Sequence, residues 1–198
     1  MLNQSQIDDI NRKIDILQYE RHPCIKKEEL ISFETTAGII LPRDYRDFLL
    51  HIGNGVGWVD LNSLQESLRV LEYRGGKITD LGKSFPLKRS GDYKVVAQHA
   101  SKFLQPRQNL NDFYNSITSG YLEIVTGVDL SVLLIISGEE RGNIWHVKRF
   151  NEYEDKYPIK YPHIWALLDE ERRNKPVSFY RWYITNLDEK LARWKKNI

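Results

Sequence analysis

The run from Leu130 to Ile136, LSVLLII, constrains this chain's fold more than any other stretch. It is almost wholly apolar and rich in β-branched residues, as a central buried strand requires. Such a strand needs partners on both edges. Tyr121 to Val125 precedes it across a Gly127-Val-Asp129 turn. Asn143 to Val147 follows it across the loop Ser137 to Gly142, which carries glycine near both ends, and Ile144 with Val147 or Trp145 faces the core. Connections this short make an antiparallel meander.

Helical signals flank the meander. Ile7, Ile10, Ile14 and Leu17 form a stripe that predicts a helix from Ser5 to about Tyr19, with Ser5 and Asp8 as a capping pair. His22-Pro23 breaks it. A second helix is expected from about Lys26 to Ala37, with Gly38 as its cap. Leu41 to Trp58 then holds a complete short helix. Pro42 opens it, Asp44 and Asp47 lie near its positive end, Tyr45, Phe48, Leu49 and Ile52 share a face, and Gly53 stops it. Leu64, Leu68 and Leu71 allow another helix. Near the end, Ser178 caps a helix whose amphipathic face is Phe179, Trp182, Tyr183, Leu187, Leu191 and Trp194. Phe85-Pro86-Leu87 and Val95-Val96-Ala97 are read as short strands or strand edges, Phe103 to Ile117 as loop or helix, and Tyr157-Pro158 with Tyr161-Pro162 as extended. Helices, then strands, then a closing helix give an α+β fold. An N-terminal helical hairpin and a C-terminal helix pack on one side of a mostly antiparallel sheet. The 198 residues show no linker composition and no repeat, so a single domain over 1–198 is expected.

The balance of charge narrows the function. A net charge of +2 does not demand nucleic acid and argues against an overall acidic decoy of DNA. The single Cys24 excludes an internal disulfide framework and fits a reducing compartment. The polar, mixed-charge N-terminus lacks a signal peptide's apolar core, and Val132 to Ile136 is too short to span a bilayer. A cytoplasmic protein with no membrane contact is expected.

No motif announces catalysis. His22, His51, His99, His146 and His163 are scattered without H-E-x-x-H or H-x-H spacing, so packing or surface roles are favoured over metal ligation. Gly53-Asn-Gly-Val-Gly57 lacks both the dinucleotide spacing and the Lys-Ser or Lys-Thr ending of a phosphate loop. It is read as a helix stop and turn. Acidic clusters occur at Asp44 with Asp47, at Glu139 with Glu140, at Glu152 to Asp155 and at Asp169 to Glu171. A hydrolase acting through a carboxylate pair needs two of these across one cleft, which a sequence does not display. Helix-end charges and solvated faces are the plainer reading. Neither cofactor nor metal is expected. The aromatic content, 12%, leaves room for a Trp at an interface, and Trp58 after the glycine turn is the candidate.

Three separated stretches together resemble the SUKH superfamily, which includes bacterial immunity proteins and fungal cell-wall assembly regulators. Leu41-Pro-Arg-Asp-Tyr-Arg-Asp-Phe-Leu-Leu50 leading to Gly53-Asn-Gly55 is similar to its "LP-x-D/S-Y-x-x-F-L … N-G" signature. Gly120-Tyr-Leu-Glu-Ile and Leu133 to Trp145 resemble its strand pair, glycine-rich loop and "G-x-[VI]-W" ending. Ser178-Phe-Tyr-Arg-Trp182 with Leu187-Asp188 resembles its closing helix. The chain departs from the family at Gly-Asn-Gly, where Asn-Gly-Gly is usual, and at Thr185-Asn186, which replaces a second tryptophan region. Partner identity therefore transfers less readily than fold.

The resemblance implies a non-catalytic binding protein, an immunity protein that neutralises a polymorphic bacterial toxin by direct stoichiometric binding, as a monomer or weak homodimer. The alternatives are the carboxylate-pair hydrolase and a regulatory scaffold with several partners. Candidate partner contacts are Arg43, Asp44 and Asp47 at the helix start, Asn54 and Trp58 in the turn, and Glu139, Glu140 and Arg141 in the sheet loop. Only the family's layout brings that loop to the other groups.

Overall fold

The computed structural model describes residues 2–57, 61–87, 119–127, 130–148, 163–169 and 175–196. Among the described residues, the elements before the sheet are α1 (Gln4–Leu17), α2 (Lys27–Ala37), α3 (Arg43–His51) and α4 (Leu64–Tyr73), followed by a 3-10 turn at Ile78–Gly82. The sheet is built from β1 (Tyr121–Thr126), β2 (Leu130–Ile135), β3 (Ile144–Lys148) and β4 (His163–Ala166), in that spatial order. All its pairings are antiparallel. A two-stranded ribbon, β5 (Leu168–Asp169) with β6 (Lys175–Pro176), leads into the long closing helix α5 (Phe179–Lys196). The α+β class expected from the sequence is the class observed.

The apolar run is β2, an interior strand as its composition requires. Its side chains alternate between two cores. Leu122, Ile124, Val132, Leu134 and Ile144 face the helices and join Ile10, Ile14, Leu49, Phe48 and Leu187. Tyr121, Leu133, Ile135, Trp145, Val147 and Ile164 form the second core with Phe85 and Leu87. Ile144 therefore faces one core, while Trp145 and Val147 both face the other. Phe85 meets Trp145 edge to face at 5.1 Å and Tyr121 at 6.0 Å, the arrangement that ring quadrupoles favour. The Phe85–Leu87 stretch is not a strand. Its Phe85 N–H donates to Ser137 O at 3.0 Å and so attaches this stretch to the end of β2.

Local chemistry explains most boundaries. α1 starts one residue earlier than expected because Asn3, not Ser5, caps it. Asn3 Oδ1 accepts from Gln6 N–H and Gln6 Oε1 accepts from Asn3 N–H, each at 2.9 Å, a reciprocal capping box. Ser63 and Glu66 repeat the device at α4. Gly38 ends α2 in the left-handed region, with φ 66°. At the end of α3 the glycine assignment shifts. Ile52 and Gly53 N–H both reach Phe48 O, and it is Gly55 that takes positive φ, 104°. A Cβ on Gly55 would lie 2.7 Å from Leu61 O, so only glycine fits. Gly53 instead permits close approach to His22, whose carbonyl oxygen would lie 3.0 Å from a Cβ there.

Beyond β1 the hydrogen-bonding continues as single bridges, Arg21 to Val56, Val56 to Leu61 and Leu61 to Val125. Asn62 sits on the same edge. Its N–H donates to Ile124 O at 2.8 Å and its Nδ2 to Glu123 O at 2.9 Å. β1 itself carries a bulge between Glu123 and Val125.

The closing helix docks through aromatic rings. Phe179 lies 4.9 Å from Tyr45 and 5.2 Å from Phe48, and Tyr183 lies 4.9 Å from Phe48. All four are buried. Lys13 of α1 bridges Asp9 and Asp188 of α5, each at 2.6 Å. Of the expected α5 face, only Trp194 is exposed. Among the described residues no helix is long and apolar enough to cross a membrane. The expectations for Val95 to Ala97, Phe103 to Ile117 and Tyr157 to Pro162 lie outside the described residues.

Candidate functional site

Two of the three candidate groups meet at one place. The start of α3, the loop from Ser137 to Gly142 and the start of α5 converge through main-chain contacts. Arg141 Nη2 donates to Ile40 O at 2.9 Å and to Leu41 O at 3.1 Å. Gly142 O accepts from Phe179 N–H at 3.3 Å, and Asn143 bridges Ser178. The loop and the residues before α3 are thus neighbours although about a hundred residues separate them.

Asp44 is the pivot of this junction. Its Oδ2 accepts from Tyr180 N–H at 2.9 Å and its Oδ1 from Tyr45 N–H at 2.9 Å. A helix start leaves its first N–H groups without internal acceptors. At α5 the first goes to Gly142 O, the second to Asp44 and the third to Ser178 Oγ at 3.4 Å. Asp44 therefore caps a helix that begins far away in sequence, and its negative charge faces the positive end of that helix. Asp47 is buried and accepts from Leu2 N–H at 2.7 Å, which fastens the start of the chain to α3. Glu140 is buried too, and its Oε2 accepts from Asn143 Nδ2 at 3.0 Å. Arg43, Glu139 and Arg141 are exposed.

Asn54 lies at the opposite end of α3. Its Oδ1 accepts from Leu64 N–H and its Nδ2 donates to Gln65 Oε1, both at 2.8 Å, so it helps to start α4. Trp58 lies outside the described residues. Asn54 thus stands apart from the junction formed by the other two groups.

Sequence reasoning missed a contribution from α2. Glu34 is buried, accepts from Leu41 N–H at 2.9 Å and receives Arg46 Nε at 3.1 and 3.2 Å on its two oxygens. This fixes the strand-like link Ile39 to Leu41 against α2. Alternation then turns Leu41 inward and Ile40 outward, so Ile40 is 69% exposed while Leu41 is buried. Ile31 of α2 is 45% exposed. Ile31, Glu34, Thr35, Gly38, Ile39 and Ile40 line an open groove of about 440 Å³. The signal was present in Ile39-Ile40-Leu41, because three apolar residues in an extended link cannot all face one core.

The titratable groups show what the site can do. Asp44 and Asp47, both in α3, turn to different partners, Tyr180 and Leu2. They do not share a cleft, which is the geometry a carboxylate-pair hydrolase needs. Burial pushes the Tyr45 phenol well above its usual value, and it pushes His146 down to about 4. His146 lies on β3, a few residues after Asn143 of the junction, and its burial favours the neutral imidazole. Among the described residues no group of three or more His, Cys, Asp or Glu side chains is placed to hold a metal ion.

Comparison with protein-family models, with curated proteins and with solved structures finds no match to this chain.

Proposed function

We propose that this chain is a non-catalytic binding protein of the immunity type, which neutralises a bacterial toxin domain by direct stoichiometric association. One observation carries the reading. The three stretches that resemble the SUKH superfamily are joined at a single junction, by Asp44 with Tyr180, Arg141 with Ile40 and Leu41, and Gly142 with Phe179. A shared signature whose parts fasten one another in space is what a common fold would preserve. The acidic side chains there serve as caps and ties. This supports a rigid docking platform, which binds with little ordering cost. Arg43, Glu139 and Arg141 are the members of the candidate set left at its surface. The reading would place the protein in the cytoplasm, where the exposed Cys24 stays reduced.

The test is co-expression of this chain with the products of the genes that flank its own, each first screened for toxicity when expressed alone. The expected result is restored growth together with a one-to-one complex by light scattering after size exclusion. Continued toxicity, or rescue without a complex, overturns the proposal.

A further inference from the structure

We infer that the groove between α2 and the Ile39–Leu41 link is the docking surface, and that its occupant is a protein segment presenting one apolar side chain flanked by carboxylates. The inference rests on the binding-protein reading and names the chemistry of its partner.

The apolar half of the recognition comes from Ile31 and Ile40, 45% and 69% exposed on either side of the groove. The two sit at its lip with a folded wall between them, in contrast to singly scattered surface apolar residues, which need no explanation. The wall is stiff. Glu34 holds Leu41 N–H and Arg46 from below, and Thr35 Oγ1 donates to Ile31 O at 2.8 Å. At Gly38 a side chain would meet nothing within 4 Å, so the groove stays open at its end.

The charged half comes from the Arg141 guanidinium, which sits on the Ile40 carbonyl, and from exposed Arg43, three residues further along the chain. Arg141 donates to the Ile40 and Leu41 carbonyls, which satisfies donors without neutralising its charge. The Arg43 side chain makes no hydrogen bond or ion pair among the described residues. By contrast, the neighbouring Arg46 is already paired with Glu34. An arginine at the exposed isoleucine and a second close by in the chain, neither paired with a carboxylate among the described residues, favour an acidic segment with an apolar anchor, because guanidinium binds carboxylate through two parallel bonds. Complementary charge of this kind speeds encounter and rejects basic competitors.

The test is selection from a random peptide library displayed on phage against the whole protein. Selected peptides are then titrated against wild type, Ile40→Asp and Arg43→Glu. Both substitutions are at exposed positions, and an unchanged melting temperature verifies the fold. The expected result is enrichment of peptides with an apolar residue among Asp or Glu, bound tenfold or more weakly by each variant and more weakly at 0.5 M salt. No enrichment, basic peptides, or equal binding to wild type and variants overturns the inference. The same variants titrated with any toxic flanking-gene product that the co-expression screen identifies separate the two claims. If wild type binds the toxin and Ile40→Asp binds it equally, the groove is refuted and the function stands. If wild type does not bind the toxin but binds acidic peptides through the groove, the toxin reading falls and the groove stands.

Discussion

Removing the Asp44 carboxylate should loosen the last helix from the rest of the molecule. The side chain spans the junction, with Oδ2 on Tyr180 N–H at 2.9 Å, and Tyr180 is half-buried. In Asp44→Ala the Tyr180 donor loses its acceptor and solvent replaces it only in part. A hydrogen bond to a charged group contributes about 1.5 to 3 kcal/mol. The interaction of the carboxylate with the helix end is contained in that range and accounts for roughly 0.5 kcal/mol of it. The expected loss is therefore about 2 kcal/mol, or a fall of about 4 to 8 °C in melting temperature for a chain of this size. Asp44→Asn keeps an acceptor and loses the charge, so its cost should be roughly 0.5 to 1 kcal/mol. Arg43→Ala, one residue away and exposed, is the control and should stay within about 0.5 kcal/mol of wild type. Urea unfolding followed by circular dichroism measures all three, with the slope m required to stay constant. If Asp44→Ala costs no more than Arg43→Ala, the carboxylate does not cap α5 and the account of the junction is wrong.

Asn54→Ala should cost about 1 kcal/mol in the same assay, since it removes the acceptor for Leu64 N–H at the start of α4; no change would mean that Ser63 and Glu66 suffice. Trp145→Ala should cost about 3 to 5 kcal/mol, because the ring is wholly buried against Phe85; a loss under about 1 kcal/mol would show that the second core is poorly packed. His146 gives a pH dependence. Its folded value, about 4, lies below its ordinary 6.5, so the unfolded chain binds more protons between those limits. Its contribution is complete above about pH 6.5 and is lost as pH falls toward 4, to a total of at most about 3 kcal/mol. His146→Gln should flatten that part of the stability profile, and an unchanged slope between pH 4 and 6.5 would assign the acid sensitivity to other groups.

How far the sequence foretold these features follows from the range of the forces involved. The buried run of β2 and the stripe of α1 were legible because period and composition are local properties. The cap of α1 was misplaced because Asn3 with Gln6 serves as well as a Ser and an acid, and two such pairs overlap there. The glycine turn was legible as a turn, but its positive φ belongs to Gly55, a choice made by the approach of Leu61. Asp44, Asp47 and Asn54 stood as candidate partner contacts, with the charge at the start of α3 the plainer reading of the two aspartates, since nothing nearby in the sequence shows their actual partners. Tyr180, Leu2 and Leu64 claim them only after folding. Ile40 was missed for the opposite reason: its exposure follows from Glu34 holding the next residue.

The bridges outside β1 bear on how copies of this chain behave when crowded together. An uncovered strand edge templates the addition of foreign strands, and this is a common route to aggregation. Here Leu61 pairs with Val125, while Asn62 occupies the carbonyls of Ile124 and Glu123. The bulge beside them bends the same edge out of register for an incoming strand. A second molecule that adds at this edge must first peel Leu61 and Asn62 away, and with them the bridge to Val56. Self-association through β1 is thus gated by a local unfolding step, which slows it even where concentration favours it.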